Sequence, residues 1–151
     1  MNRILSALIF LPFMASCSHS DKLYTTGNVS FKMIHVDGGS FLMGSQSMSP
    51  SLDGFDTEAQ QAEMPTHMVK LKDYYIGETE VTQALWYEVM GREVAMHKGY
   101  SRPVESVSYN DICGPDGFLE RLNKMFEKEL KEDKMVFSLP SEAEWEFAAR
   151  G

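Results

Sequence analysis

The chain has 151 residues, of which 43% are hydrophobic and 24% charged, with a net charge of −8 at pH 7. That is the profile of one ordinary globular domain, and it excludes general disorder and a polytopic membrane protein. With 14 Lys+Arg against 22 Asp+Glu and no basic run, a nucleic-acid partner is excluded, because neutralising phosphates needs clustered cations.

Residues 1–16 read as an export signal. Arg3 supplies one positive charge, and residues 4–13 run apolar with only Ser6 and Pro12 as interruptions. The run is too short for a spanning helix and suits the core of a signal peptide. Met14-Ala15-Ser16-Cys17 then matches a bacterial lipobox, in which the Cys17 thiol forms the thioether to diacylglycerol. The plainer alternative is that Cys17 stands by chance beside an ordinary cleavage site. Residues 17–30 are polar and read as a flexible tether between lipid and domain, so the folded part is expected over 31–151.

Within it, residues 31–36 predict a strand, Asp37-Gly38-Gly39 a turn and residues 40–43 renewed extended structure. Residues 44–63 read as a long polar loop. Residues 66–71 alternate, with Val69 and Leu71 inward, and 74–76 form another short apolar run. Thr82 is the expected N-cap of a helix over 83–90 that carries Leu85, Trp86, Val89 and Met90 and stops at Gly91. Residues 103–107 predict a short extended piece. Ser108 and Asp111 have capping-box spacing, and Pro115 is expected in the first turn of the helix that continues. Its apolar face is Phe118, Leu122, Met125, Phe126 and Leu130. Residues 135–139 predict a strand, and Ser141 with Glu144 a capping box for a last helix through Arg150.

No catalytic constellation stands out. His19, His35, His67 and His97 form no close metal-binding pair and read as structural. There is no nucleotide loop and no nucleophile elbow. Two cysteines are too few for a disulfide scaffold or a Cys-based zinc module. Cys113 has no basic neighbour in sequence and reads as a buried structural thiol. Glu78 with Glu80, and Glu142 with Glu146, read as solvated charges, while Glu144 has its capping role. Trp86 and Trp145 fall among apolar neighbours and are expected in the core.

Five segments together resemble the formylglycine-generating enzyme family, also called sulfatase-modifying factors. They are Met33-Ile34-His35-Val36-Asp37-Gly38-Gly39-Ser40-Phe41-Leu42-Met43-Gly44, Glu63-Met64-Pro65-Thr66-His67-Met68-Val69-Lys70-Leu71, and Tyr75-Ile76-Gly77-Glu78-Thr79-Glu80-Val81-Thr82 leading to Trp86. Arg102-Pro103-Val104-Glu105-Ser106-Val107-Ser108-Tyr109-Asn110-Asp111 follows, and then Leu139-Pro140-Ser141-Glu142-Ala143-Glu144-Trp145-Glu146-Phe147-Ala148-Ala149-Arg150-Gly151. The motif positions that carry the resemblance are Gly38, Gly39, Gly44, Pro65, His67, Glu80, Thr82, Pro140, Glu142, Glu144 and Trp145.

The resemblance implies a C-type-lectin-like α+β fold that is incomplete at the C-terminus. In this family the oxidising cysteine pair and most calcium ligands lie in the C-terminal half, and no residue here matches those cysteines. Calcium and copper are therefore expected only in a full-length relative, with no cofactor in this chain. The expected function is a lipid-anchored, non-catalytic binding or scaffold module of the bacterial envelope. Its expected partners are the membrane, through Cys17, and an envelope protein. The alternative is the N-terminal half of an oxidase that converts a sulfatase cysteine to formylglycine.

Overall fold

The computed structural model describes residues 20–150. The export signal, Cys17 and His19 lie outside them. No helix among the described residues is long and apolar enough to cross a membrane.

The first element is a strand inside the segment expected to be tether. β1 (Lys22–Thr26) pairs antiparallel with β2 (Val29–Val36), with Thr26 opposite Val29 and Lys22 opposite Met33. The correction has a single physical cause. Tyr24 is the buried residue of β1, and its ring stacks on Phe31 and meets Phe126 and Phe137 edge-on. One aromatic anchor among polar neighbours holds a strand that composition reads as linker.

β2 runs to Val36, and after the Asp37-Gly38-Gly39 turn β3 (Ser40–Met43) pairs antiparallel with β4 (His67–Lys70) in a separate two-stranded sheet. β5 (Tyr74–Gly77) returns to the free side of β2, which gives a three-stranded sheet in the order β1-β2-β5. The long loop between β3 and β4 is more ordered than its composition suggests. Gln46 is 2% exposed. Its amide nitrogen donates to the carbonyls of Ser49 and Leu52, and its amide oxygen accepts from the Met48 and Ser49 N–H groups. A buried side chain thus supplies the hydrogen bonds that a loop cannot supply itself.

α1 (Gln83–Met90) starts where Thr82 accepts the Leu85 N–H, and it ends at Gly91, whose φ of 69° is left-handed. α2 (Tyr109–Cys113) carries the full Ser108/Asp111 capping box. The Ser108 hydroxyl and N–H, with Arg92 beyond them, hold the Asp111 carboxyl below the usual carboxylate range. Pro115 does not open the next helix. α3 (Phe118–Met125) starts after Gly117, and Pro115 sits in the preceding turn. α4 (Glu127–Asp133) continues through a kink at Phe126, where φ is −108°.

The kink keeps Phe118, Leu122, Phe126 and Leu130 on one face. All four are buried with Tyr24, Leu85, Trp86 and Val89 in a single core. Met125, expected on that face, is 43% exposed, because four-residue steps through a kink give a narrower stripe than a 3.6-residue repeat. Cys113 is half-buried rather than fully buried.

One expected strand, and most of one expected extended piece, are absent among the described residues. Residues 103–107 make only an isolated bridge, Thr82 with Pro103, and then turn at Ser106, where φ is 61°. Residues 135–139 join no ladder. Phe137 instead donates its N–H to Asn123 Oδ1 and accepts from Asn123 Nδ2, both at 2.8 Å. One side chain of α3 satisfies the groups a neighbouring strand would have taken. α5 (Glu142–Arg150) follows the Ser141/Glu144 box and packs Phe147 on Phe41 of β3. The arrangement of segregated helices and antiparallel sheets is α+β.

Candidate binding cleft

β5 is the outer strand of its sheet. The Glu78 N–H donates to the Lys32 carbonyl at 2.9 Å, so the alternation of an antiparallel ladder turns the main-chain groups of Tyr75 and Gly77 outward. Residues 135–140 pass this edge without pairing to it. Val136, Ser138 and Leu139 make no main-chain hydrogen bond among the described residues.

Two cavities open beside this edge, one of about 780 Å³ and one of about 430 Å³. Both are bounded by Met33, Ile76, Gly77, Phe137, Ser138 and Pro140. The larger one reaches in to Trp86 and Phe118 and out to Trp145. The cleft therefore offers an unpaired strand edge between apolar walls, the arrangement that accepts an extended peptide.

Trp145 is 63% exposed, which corrects the expectation that it packs in the core. α5 turns a different face inward: Phe147 meets Phe41, and Tyr74 donates its hydroxyl to the Glu144 carbonyl at 2.6 Å. The indole is left on the rim beside exposed Leu139, an apolar surface of the kind that marks an interaction site.

The motif residues fall into four groups. Glu80, Thr82, Pro140 and Trp145 line the large cleft. Glu144 borders the smaller cavity, and Glu142 lies exposed in the first turn of α5. Gly44, Pro65 and His67 gather at the other end, around β3 and β4. There Gly44, at a φ of 89°, has a Cβ position 2.3 Å from the Glu63 carbonyl oxygen, so no larger residue fits. Its N–H donates to Glu146 and its carbonyl accepts from Arg150, so Glu146 is half-buried and paired instead of a solvated charge. His67 is exposed, with its ring on the Pro65 carbonyl. Gly38 and Gly39 stand apart in the turn after β2. Asn123, which holds the Phe137 wall of the cleft, was not singled out in the sequence, nor were Gln46 and Gln83, which hold loops elsewhere. Polar side chains that serve distant main-chain groups have no local signature.

Gln83 clamps the loop after α1, donating to His97 and Pro103 and accepting from Gly99, over a cavity of about 350 Å³. The same loop is pinned by Glu105, whose carboxylate takes the Ser106 hydroxyl and the His97 N–H. These two hydrogen bonds, the hydroxyl first, lower its pKa from 4.5 to about 2. A depressed carboxylate stabilises the fold above its unfolded pKa, and that stability is lost as pH falls toward the folded value. The His97 amide resonance is therefore expected to keep its folded shift through pH 4.5 and to titrate only as pH nears about 2. Glu105→Gln should remove this titration. An identical titration in that variant would assign it to another group.

The chain matches the model of the sulfatase-modifying factor enzyme 1-like domain over residues 23–151. It is 31% identical over 169 residues to a protein of Paenibacillus barcinonensis named chaperone protein LppX, covering 95% of this chain and 54% of that one. It also resembles the solved structure of Treponema denticola variable protein 1, with a TM-score of 0.54 and 29% identity over 73% of this chain and 37% of that one. The chain thus spans about half the length of the curated relative it matches. With the five motif segments in order on an α+β scaffold, and with this match across most of the chain, the protein belongs to the sulfatase-modifying factor enzyme 1-like domain family.

Proposed function

We propose that this chain belongs to a lipid-anchored module of the bacterial envelope that binds extended, apolar polypeptide in its cleft and does no chemistry on it. The observation that carries this reading is the cleft itself. An unpaired strand edge asks for backbone hydrogen bonds, and the walls around Phe137, Ile76 and Trp145 ask for alternating apolar side chains. A lipid or a small apolar molecule satisfies only the second demand. The name of the Paenibacillus relative, a chaperone, fits a surface that holds unpaired polypeptide. The lipobox at Cys17 supplies the anchor, and the C-type-lectin-like fold is the form we infer for the domain. The word enzyme in the family description keeps one alternative open, the N-terminal half of a formylglycine-generating oxidase.

Fluorescence anisotropy on the full chain, with labelled peptides of alternating apolar residues, tests the reading. Trp145→Ala and Leu139→Ser are expected to weaken binding about tenfold or more, with no change in thermal midpoint. Equal binding of polar peptides of the same length, or no effect of either variant, rejects the cleft as a polypeptide site. Conversion of a bound sulfatase cysteine peptide to its aldehyde would support the oxidase instead. Loss of acyl labelling in Cys17→Ser tests the anchor separately.

A further inference from the structure

We propose that His35, Asp37 and Asp73 form a site for one divalent cation of the zinc class at the end of the three-stranded sheet, where His35 and Asp73 also border the smaller cavity. His35 and Asp37 are two apart along β2 and its extension, so they share a face. Val36 stands opposite Tyr74 in the β2–β5 ladder, so the next pair in register brings Asp37 opposite Asp73. His35 Nδ1 lies 3.6 Å from Asp37 Oδ1, and Nε2 lies 4.0 Å from Asp73 Oδ2. One ligand atom from each of the three residues falls within 4.8 Å of the others.

Two of the three ligands are already held. The His35 side chain is 7% exposed and meets the Tyr75 ring edge-on at 5.1 Å. Asp73 is oriented by the Gly38 N–H, which donates to Oδ1 at 2.9 Å and leaves Oδ2 toward the imidazole. Oriented ligands of this kind are what an outer shell provides at a metal centre. Asp37 is the adjustable one. Its side chain is 94% exposed, so no packing holds it away from the other two.

The charges point the same way. Carboxylates on directly opposed ladder positions repel. Among the described residues no lysine or arginine pairs with Asp37 or Asp73. On the same sheet Lys32 is committed to Asp21 and Glu78, and Lys22 to Asp133. A divalent ion bound by one imidazole and two carboxylates removes that repulsion. A nitrogen ligand in a set of three suits zinc or cobalt, whereas calcium and magnesium take all-oxygen shells. Bound there, the ion ties the turn after β2 to the start of β5.

The test is a titration of the EDTA-treated, exchanged full chain with Co²⁺, read by its visible absorption, and with Zn²⁺, read by calorimetry. One equivalent is expected to bind. His35→Asn and Asp73→Asn should each weaken binding at least about tenfold, the loss that removal of even an outer-shell partner brings. His67→Asn, on the exposed face of β4, should leave it unchanged. Asp37→Asn alters only an exposed side chain, so it reads the site even if an inner variant fails to fold. Lack of uptake at millimolar metal, or uptake indifferent to Asp37→Asn and Asp73→Asn, overturns the proposal.

Discussion

Replacing Trp86 by alanine is expected to lower the unfolding free energy by about 3–5 kcal/mol, a large part of what a domain of this size has. Trp86 is 2% exposed and stacks parallel on Phe118 at 5.1 Å. It also joins α1 to α3, so its removal opens a cavity where two helices meet and where neither can collapse alone. Its indole N–H is buried with no acceptor among the described residues. Trp86→Phe therefore removes an unsatisfied donor along with some volume, and it should cost clearly less than alanine. Trp145→Ala is the contrast. At 63% exposure it should change stability by no more than about 0.5 kcal/mol. Urea unfolding of the three variants checks this. Equal losses for Trp86→Ala and Trp145→Ala would mean that α5 packs in solution through its indole face.

The second large effect is expected at Gln46. Gln46→Leu keeps the volume and removes both halves of the amide, which leaves the Met48 and Ser49 N–H groups and the Ser49 and Leu52 carbonyls without the partner they have now. Some of these groups reach water once the loop opens, so the expected cost is about 2–3 kcal/mol rather than the sum of four lost bonds. The damage should be local. Amide exchange at Met48 and Ser49 is expected to accelerate strongly, and proteolysis to begin within residues 45–56, while the amides of α3 keep their protection. Uniform acceleration across the domain would show instead that the loop and the helical core unfold as one unit.

The two substitutions mark the two kinds of information in this chain. Elements whose determinants are local were legible from the residues alone. Thr82 and Gly91 bound α1 because an N-cap and a left-handed C-cap act within four residues. Ser108 with Asp111, and Ser141 with Glu144, form boxes whose partners are three apart. The turn after β2 and strand β3 lie where glycine and alternation put them. The family followed from five short segments in order, and the match over residues 23–151 agrees.

What the local pattern missed depended on distant partners. β1 exists because Tyr24 meets rings from β2, the kink before α4 and the segment after α4, up to 113 positions away. Residues 135–139 have strand composition, but Asn123 takes the Phe137 main chain, and a side chain on another element leaves no trace in a strand's own alternation. Trp145 has the same apolar neighbours in sequence as a core residue, and only the docking of Phe147 on Phe41 turns it to the rim. His35 read as an isolated histidine until the antiparallel pairing of β2 with β5 set Asp73 beside it. The sequence by itself determined where α1, α2 and α5 start and which family the domain belongs to, because capping and motif spacing act over a few residues. The tertiary structure alone decided the cleft and the His35 cluster, because each is made by groups that only long-range pairing brings within a few ångströms.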